Sequence, residues 1–370
     1  RLTPKTYKAR IRVPGVVDTQ PLLSALGWAR EKLRAEEASI DTSDPCCDDD
    51  EKERRALLHK LAERCGDISE RIHNAISLVD PQQIVTLDLP KRQRGRVKIV
   101  SRPADVGPPL GRLLLRPGRP VVFTSATLAT SDGFRWFLSQ VGADNATTLE
   151  VPSPFDFRRQ ATMLVSPASM PLPDQEHPEV YREAAAREVR EIVRFTEGRT
   201  LALFTSWESL RAAKAALTGC PYRVLAQGDM PPHKLLAAFQ HDVQSVLLAV
   251  ASFWEGIDVQ GPALTTLIVD RLPFPVRDDP MSDWLSSAPG RNEWTEYRFP
   301  TTCLKLTQGV GRLIRSVSDR GLVVLLDPRL RGMPYGRALL RRLPRMYRVD
   351  RLEDAAPWVL DNVLPLRAAR

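Results

Sequence analysis

Gln308-Gly309-Val310-Gly311-Arg312-Leu313-Ile314-Arg315 decides how this chain reads, because it joins a helical pattern to an apolar strand, Leu322-Val323-Val324-Leu325-Leu326. The spacing predicts a helix from about Tyr297 to Ile314. Gln308, Arg312 and Arg315 then fall at i, i+4 and i+7 and share one face. Gly309 and Gly311 each cost such a helix about 0.8–1 kcal/mol relative to alanine, a cost that makes sense where something must approach closely. An amide and two guanidiniums suit a polyanion, and phosphate oxygens fit best. A solvated basic face explains an isolated R-x-x-R. The interleaved glycines and the apolar Leu313 and Ile314 weaken that explanation here.

Working back from this stretch, strands and helices alternate. Strands are expected at Ala161–Val165, Thr200–Phe204, Tyr222–Leu225, Ser245–Val250 and Ala263–Asp270, and helices at Glu179–Phe195, Glu208–Leu217 and Lys234–Gln240. Continuous apolar strands in repeated βα units imply a mainly parallel α/β sheet covered on both faces. Further upstream, Pro120–Leu128 reads as a buried parallel strand that opens into a polar loop. Phe134–Leu138 begins a helix, and Val151-Pro152-Ser153-Pro154-Phe155 is a linker. No internal repeat stands out.

The first hundred residues differ. Leu22–Ala38 reads as an amphipathic helix with Leu23, Leu26, Trp28 and Leu33. After an acidic loop, a longer helix from about Glu53 to Leu78 carries Leu58, Leu61, Cys65, Ile68, Ile72 and Ile76, with Gly66 as a blemish. The pair suggests an antiparallel hairpin, equally suited to packing, a dimer surface or a protruding arm. Ile84–Leu89 and Val97–Val100 then form a β-hairpin whose tip, Lys91-Arg92-Gln93-Arg94-Gly95-Arg96, fits either a solvated turn or a nucleic-acid contact.

Composition sets wider bounds. A length of 370 residues suggests about two domains. The formal net charge of +8 permits a nucleic-acid partner. No apolar run approaches the ~20 residues of a membrane helix, and nothing suggests secretion. The chain begins at Arg1 without an initiator Met and reads as a fragment of a longer protein. The five cysteines are scattered and show neither iron–sulfur nor zinc spacing. Cys46 and Cys47 lie in the acidic loop, where carboxylates would raise a thiol pKa. A reducing cytoplasm is the default. The five histidines form no metal or triad pattern, and His59 and His73 read as surface residues of a charged helix.

The loop after Val250 is Ala251-Ser252-Phe253-Trp254-Glu255-Gly256-Ile257-Asp258-Val259. Its acids could orient an arginine, a water or a nucleotide hydroxyl, and Gly256 could expose an N–H to phosphate. Taken alone, the motif is better described as a strand-end turn with ordinary surface acids. Ser252, Phe253 and Trp254 offer a hydroxyl and two rings for phosphate contact and base stacking, although Phe253 also suits core packing.

With this loop in view, four segments occur in order at what read as carboxyl ends of strands: Phe123-Thr124-Ser125-Ala126-Thr127-Leu128, Leu203-Phe204-Thr205-Ser206, Ser252 to Asp258, and Gln308 to Arg315. Val151–Asp156, Gln227-Gly228-Asp229, Asp270-Arg271-Leu272-Pro273-Phe274 and Asp327-Pro328-Arg329-Leu330 accompany them. The set resembles the DinG/XPD-like branch of superfamily 2 DNA helicases, closest to the bacterial DinG type, over roughly residues 100 to 340. The helical hairpin looks like part of that family's arch.

The resemblance implies a RecA-like (P-loop NTPase type) motor domain with an N-terminal helical hairpin. Residues 1–100 would be arch-like, 101–152 the closing part of a first RecA-like domain and linker, and 153–370 the second. It implies that Ser125, Ala126 and Thr127 couple nucleotide state to DNA. Thr205, Ser206, Ser252, Phe253 and Trp254 would face DNA. Glu255, Gly256, Asp258 and Gly309 would border the nucleotide, and Gln308, Arg312 and Arg315 would be catalytic, the arginines as fingers on the γ-phosphate. ATP and Mg²⁺ are the implied cofactors. Single-stranded DNA, forked or damaged duplex and an upstream motor domain are the implied partners, in the bacterial cytoplasm at the nucleoid. DNA repair and 5′→3′ unwinding are implied by resemblance only.

No G-x-x-x-x-G-K-[ST] phosphate loop and no D-E-A-H box occur in the 370 residues, and the family's four cluster cysteines are missing. An iron–sulfur cluster would have its place only upstream of Arg1. The expectation is the finger-bearing C-terminal half of an ATP-dependent DNA helicase, inactive alone. The second reading is a truncated, non-catalytic nucleic-acid-binding or accessory module.

Overall fold

The structure is a computed structural model that describes residues 8–10 (backbone only), 18–43, 48–77, 80–88, 98–250, 261–276 and 279–364. The expected basic tip at Lys91–Arg96, Cys46 and Cys47, and the loop carrying Ser252, Phe253, Trp254, Glu255, Gly256 and Asp258 lie outside them. The chain forms two compact units, residues 1–108 with 276–293, and residues 109–275 with 294–370.

In the first unit, α1 (Gln20–Ser39) and α2 (Asp49–Ile76) form the expected hairpin. The Asp48 side chain caps α2 by accepting from the N–H of Glu51 at 2.7 Å, and acids fill the first turn, where the helix dipole favours them. The guanidinium of Arg30 lies against Gly66, 3.0 Å from where a Cβ would stand. His59 meets Glu37 at 3.0 Å. Two helices bury only the seam they share, so α1 has no fully buried residue and Trp28 is 64% exposed. The strands β1 (Lys8–Arg10), β2 (Gln83–Asp88) and β3 (Lys98–Pro103) make an antiparallel sheet in that order. Residues 276–293 return to this sheet through a later helix. There the Trp284 indole N–H donates to the carbonyl of Pro81 at 2.9 Å. No periodicity in the sequence announces that return.

The chain passes between the units within α3 (Gly107–Leu114). The second unit continues with α4 (Arg135–Val141), α5 (Phe157–Gln160), β4 (Ala161–Val165), α6 (Pro178–Phe195), β5 (Thr200–Phe204), α7 (Trp207–Ala216), β6 (Val224–Ala226), α8 (Pro232–His241), β7 (Val246–Val250) and β8 (Thr266–Val269). The excursion that holds α9 (Pro280–Ser287) follows. Then come a π-helical turn (Trp294–Arg298), α10 (Phe299–Val310), β9 (Gly321–Leu325), α11 (Arg329–Gly332), α12 (Pro334–Arg342), β10 (Tyr347–Val349) and α13 (Leu352–Asn362). Seven strands pair in the order β10-β4-β9-β8-β5-β7-β6, all parallel.

Successive side chains of a strand point to opposite faces. Leu201 and Leu203 join Phe239, Leu306 and Leu339 in the core under α8, α10 and α12. Ala202 and Phe204 join Tyr181, Val189, Leu210 and Val359 in the core under α6, α7 and α13. Both faces are therefore covered, as the apolar strand pattern predicts. The sequence pattern gives no expectation for the strand β10 or the helices α12 and α13.

Two expectations are corrected. Val121–Thr124 form no strand, and Val122 is 86% exposed. A strand needs a hydrogen-bonding neighbour, and none lies alongside among the described residues. The helix expected to reach Ile314 ends at Val310, with Gly311 as its cap. Gln308 is therefore helical while Arg312 and Arg315 lie beyond the helix, so the three share no helical face. The two glycines that lower helix propensity sit at this end.

The turn between α6 and β5 is tightly built. Glu197, Gly198 and Arg199 all have positive φ. At Gly198 (φ +79°) an added Cβ would lie 1.9 Å from the Gln244 carbonyl oxygen. The buried Arg199 guanidinium donates to the carbonyl of Val363 at 3.2 Å and so ties this turn to the end of α13. Gly198→Ala should destabilise the fold by about 3 kcal/mol, through strain at positive φ and overpacking, measured as a lower midpoint of urea unfolding.

Candidate functional site

In a parallel α/β unit each helix carries the chain from the carboxyl edge of the sheet back to the amino edge. The polar groups of the second unit gather at these two edges, and the expectation that all four motif segments share the carboxyl edge is corrected. Because α10 precedes β9, Gln308 to Arg315 come back to the amino edge.

At that edge a short turn replaces the expected helix. The Asp319 carboxylate accepts from the N–H groups of Arg315 and Ser316, both at 2.8 Å. The Gln160 side-chain amide, just before β4, donates to the carbonyls of Ser316 at 2.8 Å and Asp319 at 3.1 Å. Leu313 and Ile314 are buried. Leu313 packs where a side chain at Gly321 would otherwise stand, since a Cβ there would be 2.7 Å from its Cγ. The turn is thus pinned on its apolar side, with Arg312 and Arg315 held half-buried. Across 181 residues of sequence, the Gln308 side-chain amide donates to the Thr127 hydroxyl at 3.1 Å. The Thr127 N–H in turn donates to the Ser125 hydroxyl at 3.2 Å. The structure therefore brings Ser125, Ala126 and Thr127 beside Gln308. The segment is anchored further along, where the Trp136 indole N–H donates to the carbonyl of Glu296 at 2.8 Å.

The carboxyl edge holds a different constellation. Thr205 is half-buried after β5. The Ser206 hydroxyl accepts from the N–H of Ser209 at 3.1 Å and caps α7, a structural task that a DNA-facing reading had not included. After β8 and β9 come two buried acids, Asp270 and Asp327. Asp327 takes the Nε of Arg329 at 2.9 Å and its Nη2 at 2.6 Å, and also accepts from the N–H of Leu272 at 2.9 Å. Burial works against the charge of Arg329, but its hydrogen bonds to Asp327, the charge of Asp327 and the nearby Tyr335 and Tyr181 together outweigh that and raise its pKa. The Tyr181 hydroxyl donates to the backbone carbonyl of Asp270 at 2.6 Å, and the Arg271 guanidinium lies 4.3 Å over its ring. Burial pushes the tyrosine pKa far up. It also pushes the Asp270 carboxyl up to about 7; Asp327 adds to the rise, while Arg271 and Arg329 oppose it.

Beside these charges, Phe274, Trp294 and Tyr335 form an aromatic group with centroids 4.9–5.9 Å apart. The guanidiniums of Arg298 and Arg329 stand 5.5 and 5.3 Å from the Phe274 ring. Asp270–Phe274 and Asp327–Leu330 accompany the motifs in the sequence, whereas no motif marks Tyr181, Trp294 or Tyr335. The signal for them was weak, since single aromatics in helical stretches look like core. Among the described residues, no group of three or more His, Cys, Asp or Glu could hold a metal ion.

With the sheet and its two edges in view, comparisons with known proteins are informative. Residues 189–346 match the helicase C-terminal domain family. YoaA of Escherichia coli K12, named an ATP-dependent DNA helicase, is 34% identical over 297 residues, covering 79% of this chain and 45% of its own length. DinG of Mycobacterium tuberculosis, named an ATP-dependent helicase, is 33% identical over 255 residues, 67% of this chain and 36% of its own. DinG of Bacillus subtilis, named a 3′-5′ exonuclease, is 30% identical over 265 residues, 69% of this chain and 28% of its own. In fold, the chain resembles an XPD helicase structure with a TM-score of 0.54 at 16% identity, over 94% of this chain and 59% of that one.

The second unit is therefore a RecA-like helicase C-terminal domain. Through this helicase C-terminal domain the chain belongs with the YoaA/DinG helicases, and its fold is that of the XPD structure. It spans less than half the length of the curated relatives described above.

Asp270 gives a pH test of the carboxyl edge. Its carboxyl pKa is higher in the fold than its ordinary value, so between pH about 4 and about 7 the native state holds more protons than the unfolded chain. This contribution to stability is complete below pH ~4 and is lost as pH rises through ~7. Asp270→Asn should remove that loss. Between pH 5.5 and 7.5 the Tm of the wild type should fall by ~4 °C more than that of the variant, measured by scanning calorimetry.

Proposed function

We propose that this chain provides the C-terminal motor half of an ATP-dependent DNA helicase, which couples ATP hydrolysis to 5′→3′ movement on single-stranded DNA and to unwinding of forked or damaged duplex in the bacterial cytoplasm. The observation that carries the reading is the Gln308–Thr127 hydrogen bond beside Arg312 and Arg315. It joins the segment assigned to coupling with the segment assigned to γ-phosphate contact.

In this reading residues 1–100 act as an arch, 101–152 close a first RecA-like domain, and 153–370 form the second. Exposed Val122 and its neighbours would complete the sheet of that first domain, and the upstream motor domain would cover them. Two guanidiniums on a turn with an anchored backbone, next to an amide, fit a polyphosphate. ATP with Mg²⁺, cradled mainly by the upstream domain, would supply the phosphoryl group. Arg312 and Arg315 would approach its terminal oxygens and offset the charge that develops during transfer. Gln308 would report that approach to Thr127, with Ser125 and Ala126 in the same segment. Gly309, buried at the end of α10, allows close passage past the helix. Glu255, Gly256 and Asp258 would border the nucleotide, and Thr205, Ser206, Ser252, Phe253 and Trp254 the DNA strand. Taken alone, the chain holds the arginine wall of the cleft without the phosphate-binding loop.

In the complete gene product, Arg312→Ala should lower DNA-stimulated ATP turnover by ~10³-fold or more with the fold intact. A steady-state phosphate-release assay measures this, and undiminished turnover would overturn the finger assignment.

A further inference from the structure

Between Asp327 and Asp350 the chain contains no acid, and residues 328–349 carry seven arginines: Arg329, Arg331, Arg337, Arg341, Arg342, Arg345 and Arg348. Four of them have partners inside the fold. Arg329 pairs with Asp327 and Arg331 with Asp350, both at 2.6 Å. Arg342 pairs with Glu150 at 3.2 Å, and Arg348 donates to the carbonyl of Leu340 at 2.6 Å. Arg337, Arg341 and Arg345 are exposed and form no ion pair among the described residues.

Their direction is fixed from beneath. Leu339, Leu340, Leu343 and Met346 are buried in the core under α12. Gly336 lets the helix press onto α11, since a Cβ there would lie 2.3 Å from the carbonyl oxygen of Leu330. With the apolar face seated, Arg337 and Arg341 stand one turn apart on the outward row. Because α12 follows β9 and precedes the parallel β10, the row runs down the flank of the sheet toward the amino edge, away from Thr205 and Asp270.

We infer that this flank binds the phosphate backbone of duplex DNA. Three exposed guanidiniums without an ion pair among the described residues, two on α12 and one in the turn that follows it, match a line of phosphates and carry no sequence preference. Single-strand sites combine a basic groove with several rings that stack on successive bases, whereas α12 and the turn after it carry no exposed ring between Arg337 and Arg345, and the exposed Tyr347 stands alone beyond them. A duplex presents one charge per ~1.7 Å of axis and so engages several arginines at once. The inference rests on charge and topology and not on the motor roles of Gln308, Arg312 and Arg315.

The test is fluorescence anisotropy of the 370-residue chain with a labelled 24-base-pair duplex and with one of its strands, without nucleotide, across 50–200 mM KCl. Arg337→Gln/Arg341→Gln/Arg345→Gln should flatten the slope of log K against log[KCl] for the duplex by about 2.7. The wild type would then lose ~40-fold more affinity than the variant across this range. Arg337→Lys/Arg341→Lys/Arg345→Lys, which keeps the charge, should retain most of the slope. Matching thermal unfolding of the three proteins checks that each folds. The inference is overturned if the wild type does not bind duplex, if the glutamine variant keeps wild-type affinity and slope, or if only single-strand binding changes. It is also overturned if the lysine variant behaves like the glutamine one. None of these outcomes depends on ATP turnover, so failure of the finger assignment would be seen separately.

Discussion

Burial of both faces of the inner parallel strands leaves ligand chemistry only at the strand ends. Val246 to Val250 and Gly321 to Leu325 are buried throughout, so no side chain in the middle of the sheet can meet a ligand. Everything that could touch phosphate or a base is displaced to a turn. The burial of β5, β7, β8 and β9 is therefore the constraint on which both constellations depend. It fixes the strand ends, and the ends fix Asp270, Asp327, Thr205 and the turn at Arg312.

The two edges are built in different ways. At the carboxyl edge, charge is buried and compensated locally. Asp327 receives Arg329 and a backbone N–H, while Asp270 answers its burial by holding a proton into the neutral range. Such groups are costly to disturb and suit a rigid frame. At the amino edge, apolar anchors hold a short turn from below while Arg312 and Arg315 stay half-exposed. The contact between Gln308 and Thr127 is a single neutral hydrogen bond, worth about 1 kcal/mol net. A contact of that size can break and re-form with nucleotide state, which is what the proposed coupling requires.

The flank under α12 shows how composition becomes surface. A run of seven arginines without an acid would read from sequence as one basic stretch. In the fold it divides into residues that hold the domain together and residues that face outward. Packing of Leu339, Leu340 and Met346 makes the division.

The parallel sheet, most strand positions and the family are legible in the residues alone, because apolar continuity and ordered short motifs are local patterns. It also pointed to Gln308, Thr127, Arg312 and Arg315 without joining them. Only the tertiary structure decided that the helix stops at Val310, that Gln308 meets Thr127, and that this group lies at the opposite edge from Thr205. The same holds for the return of Trp284 to the N-terminal sheet and for the gathering of Tyr181, Trp294 and Tyr335. Each is a contact between residues far apart in sequence, set by which helix crosses which strand. Helix propensity could place Gly311 near a helix end, but the seat of Leu313 on Gly321 decided which way the arginines face.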